Sequence, residues 1–187
     1  EMGLIVSLGG WVLDSACRQL ARWRSLGLSG TVNLPELSEL KVAVNIAPAH
    51  LLADTFFSHL KNALQQHGLP PTALEIEITE ACLASAIASE SRVIDDIKSL
   101  GVSISIDDFG AGMSSLSYLK QFPVDVLKLE PGLISNLPRD QEDAAIVSAI
   151  IRLASDLHIK VVAEGVENFD QLGFLRSTPC QCVQGFL

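Results

Sequence analysis

Two hydrophobic patterns alternate along the chain. Short apolar runs rich in β-branched residues recur between polar or glycine-containing segments, a pattern typical of buried strands. Longer segments between them carry apolar residues every three or four positions, which predicts helices. The predicted strands cover residues 41–45, 73–78, 102–106, 124–128, 159–163 and 182–184. The predicted helices cover residues 9–26, 50–67, 81–100, 115–120, 141–157 and 170–176.

Repeated alternation of strand and helix predicts an α/β fold with a parallel sheet, either open and doubly wound or closed as a (β/α) barrel. An open sheet gathers its ligand-binding groups at one topological switch point. A barrel instead carries them at the carboxyl ends of many strands. Polar side chains lie at the end of nearly every predicted strand or just after it: Asn45, Glu77 with Glu80, Asp107 with Asp108, Lys128, Glu164 with Glu167, and Gln184. This distribution favours a TIM-like barrel.

Composition narrows the class of protein. The 187 residues are 48% hydrophobic, enough for one domain with a sizeable core, which we expect to span residues 1–187. The net charge of -9 argues against a nucleic-acid polymer as partner, because such binders present a basic face. No apolar run approaches the roughly 18 residues of a membrane helix, so we expect no membrane contact from this segment. The expected location is the cytoplasm, in a free or a membrane-anchored protein.

The cysteines and histidines do not suggest a zinc site. Cys17, Cys82, Cys180 and Cys182 lack the spacing of a zinc site or a disulfide framework, and we interpret them as reduced thiols. The pair Cys180 and Cys182 also fits a metal pair, which we rank far lower. The four histidines fall away from the predicted strand ends, and we interpret them as structural.

Oxygen ligands dominate the strand ends instead. Asn45, Glu77, Asp107 and Asp108 offer the amide and carboxylate oxygens that Mg²⁺ and Mn²⁺ prefer. The adjacent acids Asp107 and Asp108 would repel each other in a partly buried site unless cations neutralise them. Two ions about 3.5–4 Å apart would do so and would also clamp a phosphoryl group and activate a water molecule.

Two further strand-end residues fit the chemistry of such a centre. Lys128 would orient the water or stabilise charge on the phosphorus, and Glu164 would act as a base or a ligand. Simpler interpretations exist for single residues. Glu80 also fits a cap of the helix predicted from residue 81, and Lys128 also fits a surface pair with Asp125 or Glu130. The repetition at six strand ends favours a shared site.

Six ordered motifs resemble those of EAL domains. They are VNIAP (44–48), EIEITE (75–80), DDFGAGMSSLSYL (107–119), PVDVLKLE (123–130), VVAEGVE (161–167) and VQGFL (183–187). EAL domains are bacterial signalling phosphodiesterases with a TIM-like barrel. They linearise cyclic di-GMP to pGpG with two Mg²⁺ or Mn²⁺ ions. The resemblance covers essentially the whole chain and implies that fold, that activity and those cofactors.

The resemblance also implies roles for individual residues. Asn45, Glu77 and Asp107 would bind the first ion, and Asp107 with Asp108 the second, while Lys128 and Glu164 would serve the attacking water. Four more positions are implied to support the site: Glu80, Glu130, Glu167 and Gln184. Glu80 in the family steadies the loop after DDFG, which often contributes to a homodimer interface.

Several positions depart from the family pattern. Ala111 and Met113 stand where the family has Thr and Tyr, and Glu130 with Pro131 replaces an Asp-containing segment. The chain starts after the family's Glu-Ala-Leu strand and stops just beyond Gln184, so we expect a barrel lacking its first strand and its C-terminal end, from a longer natural protein. The altered loop favours a second hypothesis, a non-catalytic receptor for the dinucleotide or a protein partner. A lyase of the enolase type ranks well below both.

Overall fold

A computed structural model describes residues 2–28, 35–89, 91–111, 119 and 122–187. The chain forms two compact units, residues 1–104 and 105–187. The prediction that residues 1–187 form one domain stays a prediction. The predicted short helix at residues 115–120 lies outside the described residues, apart from residue 119. Met113, which differs from the family pattern, also lies outside them.

The first unit contains two parallel strands and most of the helices. Asn45 and Glu77 are direct partners in the ladder between these strands. In chain order its elements are α1 (Met2–Leu28), a 3₁₀ turn (Pro35–Glu39), β1 (Val42–Asn45), α2 (Pro48–Leu51), α3 (Phe56–Gln66), a 3₁₀ turn (Pro71–Ala73), β2 (Leu74–Thr79), α4 (Glu80–Ala88) and α5 (Val93–Leu100).

The second unit is built on four parallel strands. Its elements are β3 (Ser103–Phe109, in this unit from Ser105), β4 (Val126–Leu129), α6 (Pro131–Ser135), α7 (Gln141–Asp156), β5 (Lys160–Glu164), α8 (Phe169–Arg176) and β6 (Cys182–Gln184). They pair in the order β3-β4-β5-β6. The helix α7 buries Val147, Ile151 and Ala154, which are spaced by three and four residues and form its inward stripe.

Two predicted helices are each divided in the structure. The segment 50–67 forms α2 and α3, separated by a turn at residues 52–55. The segment 81–100 forms α4 and α5, and serine hydroxyls bond to the backbone on each side of the break. Ser89 donates its hydroxyl to the carbonyl of Ala86, and the Ser91 hydroxyl accepts a hydrogen bond from the Val93 N–H. Gly101 ends α5 as predicted, with φ 94° in the left-handed region.

The start of α4 corrects the interpretation of Glu80 as a helix cap. The N-cap is Thr79, whose Oγ1 accepts a hydrogen bond of 3.2 Å from the Cys82 N–H. Glu80 is the first helical residue, where its negative charge is favourable at the positive end of the helix dipole.

Burial in the first unit keeps several titratable groups neutral. Burial raises the pKa of the Cys17 and Cys82 thiols to about 11. His50 is fully buried, and burial together with the nearby His59 lowers the pKa of its ring. All four cysteines are free thiols. Within the described ranges, no helix is both long and apolar enough to cross a membrane.

The helix α1 approaches its neighbours closely at one glycine. A Cβ on Gly9 would overlap the ring of His50, which is fully buried and lies on α2. By contrast, a Cβ on Gly3, in the same helix, would meet no atom within 4 Å. The absence of a side chain at Gly9 therefore sets how closely α1 packs against the rest of the first unit.

We expect Gly9→Ala to lower the free energy of unfolding by about 1–3 kcal/mol, the usual cost of overpacking. The matched control Gly3→Ala should leave it unchanged or raise it by up to about 1 kcal/mol, because alanine favours helix. Urea denaturation followed by circular dichroism measures both. Equal effects of the two substitutions would show that α1 is not seated on His50.

Candidate active site

One candidate cluster, in the first unit, joins β1 to β2. Asn45 is the ladder partner of Glu77, and paired residues of neighbouring parallel strands lie about 4.8 Å apart with side chains on the same face. The Asn45 Nδ2 donates a hydrogen bond of 3.0 Å to the Glu77 Oε2. Glu77 is only 8% exposed and lies between the buried residues Ile76 and Ile78 of β2. A carboxylate this buried needs partners or a cation to compensate its lost hydration.

The second unit carries a bulge at the adjacent acids. Ile106 pairs with Leu127, and Phe109 pairs with Leu129. Between these pairs β3 advances by three residues and β4 by two, so β3 contains one extra residue. Asp108 adopts φ 54°, the left-handed region that Asp tolerates better than most residues. The extra residue breaks the alternation of side chains along the strand. The strand therefore runs through both acids, and the predicted end at residue 106 was wrong.

An ion-pair trio lies beside this bulge. The Lys128 Nζ is 3.1 Å from the Asp107 Oδ1 and 2.9 Å from the Glu164 Oε1. The Asp107 Oδ1 also accepts a hydrogen bond of 3.2 Å from the Asp108 N–H. The Lys128, Asp107 and Glu164 side chains are 12%, 17% and 14% exposed, so solvent screens these pairs weakly.

Strand register explains why the trio forms. Lys128 on β4 pairs with Val162 on β5, and Glu164 lies two residues further along β5. Residues two apart on a strand share one face, so Glu164 is a diagonal neighbour of Lys128. The structure therefore pairs Lys128 closely with Asp107 and Glu164.

The loops after β3, β4 and β5 pack tightly on α6. A Cβ on Gly110, at φ 106°, would overlap the Leu133 side chain. A Cβ on Gly165, at φ 73°, would lie 2.7 Å from the Cβ of Pro131. Glu130 precedes α6, and its N–H donates to the Phe109 carbonyl at 3.2 Å. The segment at Glu130 and Pro131, which differs from the family pattern, therefore packs between Gly110 on one side and Gly165 on the other.

Two of the remaining predicted residues, Gln184 and Glu167, lie near Glu164 in the second unit. Gln184 is the ladder partner of Glu164. The Gln184 carbonyl accepts a hydrogen bond of 3.1 Å from the Val166 N–H. Glu167 is exposed, three residues beyond Glu164 in the loop that follows β5. Glu80 begins α4 in the first unit, directly after β2.

Sequence reasoning missed Gln171. Its side chain is buried, and its Oε1 accepts hydrogen bonds from the N–H groups of Glu167 (2.8 Å) and Asn168 (3.2 Å). The signal was present in the sequence. Asn168 and Gln171 have the spacing of a capping box, and the structure shows one at the start of α8.

The donor set fits a hard divalent cation in its chemistry. The predicted ligands Asn45, Glu77, Asp107 and Asp108 supply only amide and carboxylate oxygens. In the second unit, the carboxylates of Asp107, Asp108 and Glu164 outnumber the ammonium of Lys128. Among the described residues, no group of three or more His, Cys, Asp or Glu side chains is gathered closely enough to hold a metal. The ligand assignment therefore stays a prediction.

The chain matches the model of the EAL domain over residues 1–187. The chain belongs to the EAL domain family. It is 44% identical over 185 residues to the cyclic di-GMP phosphodiesterase NbdA of Pseudomonas aeruginosa, covering 99% of this chain. This chain spans only 22% of the length of NbdA.

Solved structures agree with the family match. The PaMucR phosphodiesterase in complex with cyclic di-GMP is 42% identical, with a TM-score of 0.86 over 99% of this chain and 71% of that chain. BlrP1 of Klebsiella pneumoniae, in complex with manganese and cyclic di-GMP, is 31% identical, with a TM-score of 0.78 over 94% and 43%. The family resemblance and the predicted fold class, a TIM-like α/β barrel, are thereby confirmed.

We expect Lys128→Met to lower the free energy of unfolding by about 3 kcal/mol, because two weakly hydrated carboxylates lose their cation. Adding Glu164→Gln to that variant should recover part of the loss. Urea denaturation at pH 7.5 gives the values. The exposed Lys160 on β5 supplies a control, and Lys160→Met should change stability by less than about 0.5 kcal/mol. If Lys128→Met were as mild as Lys160→Met, the trio would not be a strong interaction.

Proposed function

We propose that the protein hydrolyses cyclic di-GMP to pGpG with the help of two Mg²⁺ or Mn²⁺ ions. Membership of the EAL family supports this, as does the 44% identity to a protein named as a cyclic di-GMP phosphodiesterase. The similar BlrP1 structure holds both manganese and cyclic di-GMP. In this chain, the proposal is carried by the trio of Asp107, Lys128 and Glu164 beside the left-handed Asp108.

We assign the first ion to Asn45, Glu77 and Asp107, and the second to Asp107 and Asp108. The pairing of Glu77 with Asn45 and the positive φ of Asp108 support this assignment, because buried charges in proteins are paired or coordinate metals and strained backbone clusters at functional sites. The ions would activate a water molecule and neutralise charge on the phosphoryl oxygens. Mg²⁺ and Mn²⁺ accept the same oxygen ligands.

Lys128 and Glu164 act on the attacking water in this proposal. Glu164 accepts a proton from the water, and Lys128, 2.9 Å from its Oε1, fixes the orientation of that carboxylate. Water oxygen then forms a bond to phosphorus as one bond from phosphorus to a ribose oxygen breaks. The ribose oxygen takes up a proton and leaves as a hydroxyl, which opens the ring of the dinucleotide.

Four further residues are assigned supporting roles on the family pattern. Glu80 would steady the loop after Asp107 and Asp108, and Glu130, Glu167 and Gln184 would border the dinucleotide. On the same family pattern, we propose that the protein forms a homodimer and that this domain lies in the cytoplasm. These are proposals for the whole protein, of which the chain covers a part.

The receptor hypothesis keeps one specific observation in its favour. Ala111 replaces the family's Thr in the loop after Asp108, and its N–H donates to the Asp108 carbonyl at 3.2 Å. A receptor would bind the dinucleotide without turning it over.

We expect the full-length protein to convert cyclic di-GMP to pGpG in Mg²⁺ or Mn²⁺, and EDTA to abolish the conversion. Asp108→Asn should lower kcat by about 10²-fold or more, because several kcal/mol of charge stabilisation are lost while Asn still tolerates positive φ. Chromatography of the product measures both results.

The exposed Asp156, at the end of α7, supplies the matched control. Asp156→Asn should retain wild-type kcat. Binding of cyclic di-GMP without turnover by the wild-type protein would establish the receptor instead. Normal kcat in Asp108→Asn would remove Asp108 from the site.

A further inference from the structure

Gln171 lies at a junction between the loops that follow β4 and β5. Its side chain is 2% exposed. The Oε1 accepts from the N–H groups of Glu167 and Asn168, at 2.8 and 3.2 Å. The Nε2 donates to the carbonyls of Ile134 and Ser135, both at 3.2 Å. An amide has two donor hydrogens and one acceptor oxygen with two lone pairs, so this buried group is fully satisfied.

The backbone groups that Gln171 bonds lie at the end of one element and at the start of another. Ile134 and Ser135 belong to the last turn of α6, where helix carbonyls lack intrahelical donors. The Ile134 carbonyl also accepts a hydrogen bond of 3.1 Å from the Leu137 N–H just after the helix. Glu167 and Asn168 precede the first turn of α8. One side chain therefore joins the end of one element to the start of another.

These bonds close a ring that contains the candidate catalytic pair. On one side, the chain runs from Lys128 at the end of β4 to Ile134 in α6. On the other side, it runs from Glu164 at the end of β5 to Glu167. The Lys128–Glu164 ion pair of 2.9 Å joins the two segments at one end, and the Gln171 amide joins them at the other.

The interior of this ring is closely packed. Gly165 packs against Pro131 with no room for a Cβ, and Pro131 fixes its own φ at the first position of α6. The N–H of Val166 is bonded to the carbonyl of Gln184. Because closely packed backbone joins the two bridges, a shift at Gln171 would be transmitted to Glu164.

We propose that Gln171 is a positioning residue, which holds Glu164 against Lys128 by fixing the loops after β4 and β5 relative to each other. This inference rests on the proposed function for its effect on rate. Gln171 does not touch the reacting atoms. Its loss acts on kcat, because a misplacement of about 1 Å can cost about 10²-fold in rate while substrate binding persists.

The test compares Gln171→Met and Gln171→Glu in the full-length protein. Met has a similar shape and removes all four hydrogen bonds, so we expect kcat to fall about 10–10²-fold with KM within about twofold. Glu keeps the acceptor, and regains a donor when it is protonated. We therefore expect the ratio of the kcat of Gln171→Glu to that of the wild type to rise as pH falls.

Gln181→Met is the matched control. Gln181 is exposed, and its Oε1 accepts a 2.8 Å hydrogen bond from the Val161 N–H near the start of β5. This variant also loses a glutamine hydrogen bond to the sheet but should keep wild-type kcat. If Gln171→Met lowers only the melting temperature and keeps kcat, or if Gln171→Glu shows no pH-dependent recovery, the inference is overturned.

A structural readout separates this inference from the proposed function. Hydrogen–deuterium exchange should be faster in Gln171→Met than in the wild type at residues 161–168 and 126–135. If the wild type shows no hydrolysis, the proposed function fails, and this readout still decides the role of Gln171. Unchanged exchange at these residues would overturn the inference.

Discussion

The ammonium of Lys128, placed between the carboxylates of Asp107 and Glu164, is the interaction on which the second unit depends. Three neighbouring parallel strands each contribute one of these side chains, and the ion-pair distances of 2.9 and 3.1 Å fix how the strand ends face each other. Partial burial makes the arrangement strong as long as it is complete, and costly when one member is lost. The two carboxylates of Asp107 and Glu164 already outnumber the one ammonium, and Asp108 adds a third carboxylate. That excess suits a centre in which divalent cations complete the compensation.

The bulge in β3 changes the direction of the side chains at the adjacent acids Asp107 and Asp108. In a regular strand, Asp107 and Asp108 would point to opposite faces. The inserted residue and the φ of 54° at Asp108 end that alternation where the proposed ions require both acids. Strain at a non-glycine residue is more often retained at functional sites than elsewhere, which agrees with the proposed role of Asp108.

Much of this was accessible from the sequence, for physical reasons that particular residues illustrate. Apolar runs predicted β2, β4 and β5 to within two residues, and the helix predicted at residues 141–157 matches α7. The division of the helix predicted at residues 81–100 was not accessible from apolar spacing alone, which does not register the hydroxyl bonds of Ser89 and Ser91 to the backbone beside the break. The bulge was not accessible either, because it is defined by pairing with β4 rather than by β3 alone.

The candidate site divides in the same way. Residue types at strand ends predicted Asn45, Glu77, Asp107, Lys128 and Glu164 as site residues, and their roles stay predictions. Which of these side chains contact each other could not be predicted without the strand register, because the contact of Lys128 with Glu164 follows from their diagonal placement on β4 and β5. Gln171 had only a capping signal, since its bonds to the end of α6 come from tertiary packing.

The central claim is that Asn45, Glu77, Asp107 and Asp108 hold two cations at the phosphate of cyclic di-GMP. A crystal structure of the protein with cyclic di-GMP and Mn²⁺, with anomalous scattering recorded at the manganese edge, tests this claim most directly. The account predicts two anomalous peaks, one bound by Asn45, Glu77 and Asp107 and the other by Asp107 and Asp108. Dinucleotide bound without manganese at these residues, or manganese bound elsewhere, would contradict it.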